Sequence, residues 1–112
     1  MTEAEFRALA LGLPGVVEHA EQDHPDYRVG GKIFARLGYP EASWATLWLA
    51  PEAQAEIVAA SPGAFRPAPG DAPGQIQVRL GEAPHPRVRE ALVAAWRDKA
   101  PRRIRDHFRD PF

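Results

Sequence analysis

Proline and glycine set the limits of this chain before any other residue does, because each ends a regular element or forces a turn. Breaks fall at Gly12, Pro14 and Gly15, at Gly30-Gly31, at Pro40, at Ser61-Pro62-Gly63, at Pro84 and Pro86, and at Pro101. Between Pro62 and Gly74 the run PGAFRPAPGDAPG holds four prolines and three glycines, more than a helix or strand interior tolerates. It reads as an ordered loop with an edge strand at Phe65. Only short elements fit between these breaks, and the links between consecutive strands are too short for parallel crossovers. The expected fold is α+β, an antiparallel sheet of about five strands with helices packed on one face, in the order helix, strands, helix, strand, helix.

Within those limits the side chains choose the element. Thr2 and Glu5 form a capping-box pair, and Phe6, Leu9, Ala10 and Leu13 follow at helical spacing, giving a helix over about residues 3–12. VVEHAEQDH, residues 16–24, starts as a short strand and turns polar. Tyr27–Val29 and Lys32–Leu37 are the arms of a hairpin across Gly30-Gly31, residues that tolerate positive φ. WATLWLA, residues 44–50, is rich in strand formers and reads as a central strand. Pro51 suits a first helical position, and Ala53, Ile57 and Ala60 give that helix its apolar stripe. QIQVRL, residues 75–80, alternates strictly. Val88, Leu92, Ala95 and Trp96 define an amphipathic helix ended by Pro101, after which RRIRDHFRDPF adds a helical turn through Ile104 and Phe108 or frays.

A chain of 112 residues supports one core, so residues 1–112 are expected to be a single domain with 101–112 as its tail. The absence of cysteine excludes disulfides, thiolate metal sites and cysteine nucleophiles, and a reducing cytoplasm is the expected compartment. MTEAEFRALALGL carries acids where a signal peptide needs cations, and no apolar run reaches the ~18–20 residues of a membrane span. The net charge of −1 argues against coating a polyanion through bulk charge, but it is unevenly spread. Through Val78 five cations face ten acids, and from Arg79 onward nine cations face five acids. A chain polarised in this way can still build a basic face.

Strand parity indicates what such a face would hold. In WATLWLA, Ala45, Leu47 and Leu49 share one side, and Trp44, Thr46 and Trp48 share the other. If helices cover the leucine side, the two tryptophans lie open, joined by Gln75, Gln77 and Arg79 from the last strand. Two registers are available to the hairpin. A two-residue turn pairs Val29 with Lys32 and sets Arg28 on the side of Ile33, Ala35 and Leu37. A three-residue turn with a bulge pairs Val29 with Ile33 and gathers Arg28, Phe34 and Arg36 on the opposite side. The second register is preferred, since it turns the cations away from the core and makes Arg28, Lys32 and Arg36 a basic ridge beside the tryptophans. The competing reading is a solvated edge whose Lys32 discourages edge-to-edge pairing.

Other chemistry finds less support. Glu18, His19, Glu21, Asp23, His24 and Asp26 supply metal-ligand types without a ligand spacing, so a solvated loop is the expected role and no metal or cofactor is assigned. Ser43 and Ser61 are the only serines and lie in no nucleophile motif, while Gly30-Gly31-Lys32 lacks the phosphate-loop frame, so no enzymatic activity is expected. In the tail, Arg97, Lys99, Arg102, Arg103, Arg105 and Arg109 alternate with Asp98, Asp106 and Asp110. Helical i,i+4 pairs there (Asp98 with Arg102, Arg102 with Asp106) read as a salt-bridged solvent face.

LPGVVEH at 13–19, PDYRVGGKIFA at 25–35, WATLWLAPE at 44–52, FRPAP at 65–69 and QIQVRL at 75–80, in that order, together resemble the MmcQ/YjbR family. The resemblance implies a small bacterial α+β domain shaped like the type III secretion chaperones or CyaY, of a kind commonly described as DNA-binding. Family members carry Lys where this chain has Trp48, in a pattern like LKxxPE, and many carry Trp where this chain has Gln75. The leading expectation is therefore DNA binding through Arg28, Lys32 and Arg36 on phosphates, Arg66 and Arg79 in support, and Trp48 as a stacking surface. Five phosphate contacts imply a log-log salt slope of about −4 to −5 on duplex DNA. The alternative is a protein-interaction or homodimer module that buries the Trp44/Trp48 face, and a small-ligand pocket beside the Pro-rich loop is a third option.

Overall fold

A computed structural model describes residues 1–20, 24–70 and 73–106. Helix α1 (Glu3–Leu11) begins on the expected capping box: the Thr2 hydroxyl accepts from the Glu5 N–H at 3.1 Å, and the Glu5 carboxylate accepts from the Thr2 N–H at 2.9 Å. There follow β1 (Val16–His19), β2 (Asp26–Val29), β3 (Lys32–Leu37), β4 (Trp44–Trp48), α2 (Pro51–Ala60), β5 (Phe65–Pro67), β6 (Gln75–Arg79), α3 (His85–Lys99) and α4 (Arg102–Arg105). The strands form one six-stranded antiparallel sheet in the order β1-β2-β3-β4-β6-β5. Both short segments, VVEH and FRP, complete the sheet as its edges.

The cross-strand pairs separate two faces. Tyr27, Ala35, Leu47 and Ile76 are successive partners across β2, β3, β4 and β6, with Leu37, Ala45, Val78 and Phe65 aligned beside them. All eight are buried, in one cluster with Phe6 and Ala10 of α1, Ile57 of α2, and Val88, Leu92, Ala95 and Trp96 of α3. Burying each large side chain there contributes about 1.5–3 kcal/mol. Trp96 is fully buried, and its indole N–H donates to the Pro14 carbonyl at 2.9 Å, which ties α3 to the turn after α1.

The hairpin follows neither expected register in full. Gly30 (φ 59°) and Gly31 (φ 80°) make a two-residue turn that pairs Val29 with Lys32, so the preferred three-residue turn is incorrect. A bulge is present, but farther along: Arg28 pairs with Ile33 while Tyr27 pairs with Ala35, leaving Phe34 as the extra residue. The bulge lets Phe34 and Ala35 both enter the core, where each is fully buried, and moves Ile33 out. Arg28 and Arg36 therefore share the outer face, Phe34 does not join them, and Lys32 shares the core-facing side with Val29 at the tip.

Two further contacts brace the sheet. Arg7 grips Glu18 with two hydrogen bonds of 2.8 and 3.1 Å, and the Tyr27 hydroxyl donates to the same carboxylate at 2.9 Å. The Arg7 hydrogen bonds hold the Glu18 carboxyl below its usual range, while burial and then Glu18 push the Tyr27 phenol upward. Gly74 has φ 85°, and its carbonyl accepts from the Leu49 N–H at 2.8 Å. A Cβ there would sit 1.8 Å from the Leu49 carbonyl oxygen, so β4 and the β6 entry fit together only around a glycine.

Candidate nucleic-acid interface

The residues of opposite parity form the sheet's other face. One polar row crosses all six strands: His19, Asp26, Arg36, Thr46, Gln77 and Arg66 are successive cross-strand partners. On β4, Trp44 and Trp48 flank Thr46 and stand opposite Arg79 and Gln75 respectively. Both tryptophans are half-buried and lie outside the apolar cluster. They sit about 13 Å apart along the strand.

At the β5–β6 end the long side chains pack on one indole. The Arg66 guanidinium carbon lies 4.4 Å from the Trp44 ring centre, and that of Arg79 lies 5.0 Å away. The Arg66 Nε donates to Gln77 Oε1 at 3.0 Å, and Gln77 is itself buried. Stacked on a ring and held at Nε by a fixed acceptor, Arg66 keeps its remaining N–H groups for a partner. No carboxylate among the described residues pairs with it. Arg79 reaches Glu82 at 3.6 Å, a pair in which both side chains are half exposed and which contributes little.

The base of this cluster is fixed by the β3–β4 loop. Ser43 adopts φ 66°; its N–H donates to the Glu3 carboxylate at 2.7 Å, and its carbonyl accepts from the Leu80 N–H at 3.0 Å. A cleft of about 450 Å³ opens beside Trp44, lined by Glu41, Ser43, Arg66, Arg79 and Glu82. A second, of about 220 Å³, lies between Trp44 and Pro62–Arg66.

The hairpin end is electrostatically quieter than the sequence suggests. Arg28 forms two hydrogen bonds with the buried Asp26, at 2.9 and 3.3 Å, and Arg36 approaches the same carboxylate at 3.8 Å. The guanidinium of Arg36 lies 5.8 Å from the Tyr39 ring centre, and its buried Nε has no hydrogen-bond partner among the described residues. Of the six expected site residues, Arg28, Arg36, Trp48, Arg66 and Arg79 share the outer face, and Lys32 points to the other. Trp44, Gln77 and Asp26 belong with them. Parity already set Trp44 and Gln77 on this face and sets Asp26 beside Arg28, two residues along β2; only the approach of Arg36 to Asp26 depends on the bulge.

The remaining expectations divide on geometry. Glu18 and Asp26 are engaged by arginines, His24 packs edge-on to Tyr39, and Glu21 and Asp23 lie outside the described residues. Among the described residues no three His, Asp or Glu side chains converge as a metal site, and no helix is long and apolar enough to cross a membrane. Arg102 pairs with Asp106 at 3.7 Å, but Asp98 pairs with Lys99 because Pro101 separates α3 from α4. Phe108, Arg109 and Asp110 lie outside the described residues. The two departures from the family pattern face each other, since Trp48 is the partner of Gln75.

A search of curated proteins returns no match. Among solved structures the fold is similar to a Deinococcus radiodurans protein, DR2400, whose crystal structure carries the family-model domain DUF419. The TM-score is 0.70 at 21% sequence identity, over 85% of this chain and 75% of that one. The family model described as YjbR matches residues 11–98, from the end of α1 through nearly all of α3. With the fold and the match over most of its length in agreement, the chain belongs to the YjbR family.

Proposed function

We propose that the outer sheet face binds nucleic acid, DNA as the resemblance implies, in single-stranded form and without catalysing a reaction. The observation that carries this reading is the Trp44 cluster: two guanidiniums over one partly buried indole, one of them with no carboxylate partner among the described residues. A sheet face with arginines held over Trp44 and with Trp48 farther along the same strand suits a phosphate backbone and unstacked bases, with each stacked base contributing about 1–3 kcal/mol. A duplex keeps its base faces internal and leaves such rings without a partner.

The hairpin contributes less than the sequence implies. With Lys32 on the other side and Arg28 bound to Asp26, three cations remain as phosphate contacts: Arg36, Arg66 and Arg79. The log-log salt slope becomes about −2 on a single strand, or about −3 on duplex. Titrating the intrinsic tryptophan fluorescence with both kinds of oligonucleotide across a salt series tests this. Quenching that weakens with salt and favours the single strand supports the reading; binding indifferent to salt rejects it. Sedimentation of the same samples distinguishes a homodimer through the Trp44/Trp48 face, which would bury those rings without any oligonucleotide.

A further inference from the structure

We infer that the cleft beside Trp44 is an end-recognition subsite, in which Arg66 and Arg79 take the terminal phosphomonoester of a single strand. The inference rests on the nucleic-acid reading and adds to it which part of the strand is held. Charge is the first argument. Two guanidiniums gathered on one ring match a terminal phosphate, which carries about −1.5 to −2 at neutral pH, better than an internal diester carrying a single charge. Geometry is the second. Arg66 is held on one side by Trp44 and at Nε by Gln77, which leaves its terminal nitrogens as a fork for two oxygens of one phosphate.

The cleft's carboxylates supply the third. Glu41 and Glu82 line it together with the arginines and offset part of their charge, so a phosphate is favoured only where it sits directly on the two guanidiniums. A strand continuing past them would bring further backbone phosphates against carboxylates. From Trp44 the strand has a favourable path in one direction, along β4 toward Trp48. The cleft's volume of about 450 Å³ suits one nucleotide. Its floor is set in advance by the Ser43 contacts to Glu3 and Leu80, so little ordering is needed on binding.

The test uses an oligothymidylate of about ten nucleotides, a length within single-domain site sizes, prepared with a 5′-phosphate, a 3′-phosphate or hydroxyls at both ends. One phosphorylated form should bind about tenfold more tightly than the unphosphorylated strand, and the arm that does so gives the strand's direction. Arg66→Lys keeps the charge but loses the fork and the Gln77 bond. It should weaken binding of all three strands, since Arg66 is one of the phosphate contacts. It should also bring the ratio between phosphorylated and unphosphorylated strands from about tenfold to about one, the readout that a general loss of one contact would not move. Equal affinity for all three strands overturns the subsite and leaves strand binding standing. If no strand binds, the nucleic-acid reading fails and the end-recognition subsite with it, whether or not thymidine monophosphate binds.

Discussion

Replacing Asp26 with asparagine should lower stability and raise affinity for a polyanion at once, because one carboxylate serves both the fold and the restraint of the hairpin cations. Asp26 is 4% exposed, receives two hydrogen bonds from Arg28 and lies 3.8 Å from Arg36. Asparagine preserves the volume and one acceptor but removes the charge. Both arginine side chains are more than a third exposed, so the cost is discounted for solvent to about 1–2 kcal/mol. In a domain of this size that lowers the melting temperature by roughly 4–12 °C. The face meanwhile gains one net positive charge, which steepens the single-strand salt slope by about 0.7. The variant's advantage over wild type should grow about fivefold when salt is lowered tenfold. Thermal melts and fluorescence titrations at several salt concentrations measure both. A destabilised variant with the wild-type slope would refute the idea that Asp26 neutralises this end of the face.

The ionisable trio at the sheet's inner edge gives a pH signature. Glu18 has a lowered carboxyl pKa, so its contribution is complete above the ordinary value of 4.5 and fades as pH falls through the folded value; Tyr27, raised, loses its contribution as pH climbs above 10. Melting temperatures should drop on both limbs, and Glu18→Gln should flatten the acid limb by less than about 1 kcal/mol, since Arg7 is exposed. Gly74→Ala should cost at least about 3 kcal/mol, from its positive φ and the backbone collision, whereas Gly31→Ala, with nothing within 4 Å of the added carbon, should cost only the conformational strain of about 1–2 kcal/mol. Equal losses in denaturant unfolding would show that the Leu49 contact is not what demands a glycine.

Much of the fold was legible where one residue pattern allowed one answer. The alternation in QIQVRL and WATLWLA sorted core from surface on β4 and β6, and Thr2 with Glu5 announced the first helix. The hairpin was harder because Ile33, Phe34 and Ala35 are all apolar, so alternation alone could not say which pair would turn inward. Packing decided it, since the core admits Phe34 and Ala35 together only if the strand bulges. Arg66 lies in a proline-rich stretch with no periodicity, and its place beside Trp44 follows from the β5–β6 register. The sequence counted cations but could not reveal that Asp26 holds two of them: Arg28 lies two residues along the same strand, but the bulge sets the approach of Arg36.

The most direct test compares salt slopes for single-strand binding by wild type, the Arg66→Ala/Arg79→Ala pair, and the tail pair Arg102→Ala/Arg103→Ala. Wild type and the tail variant should share a slope of about −2, and removing the two arginines beside Trp44 should leave about −0.7. If the tail substitutions flatten the response and the Arg66/Arg79 substitutions do not, the strand docks on the C-terminal arm and the sheet face has another role.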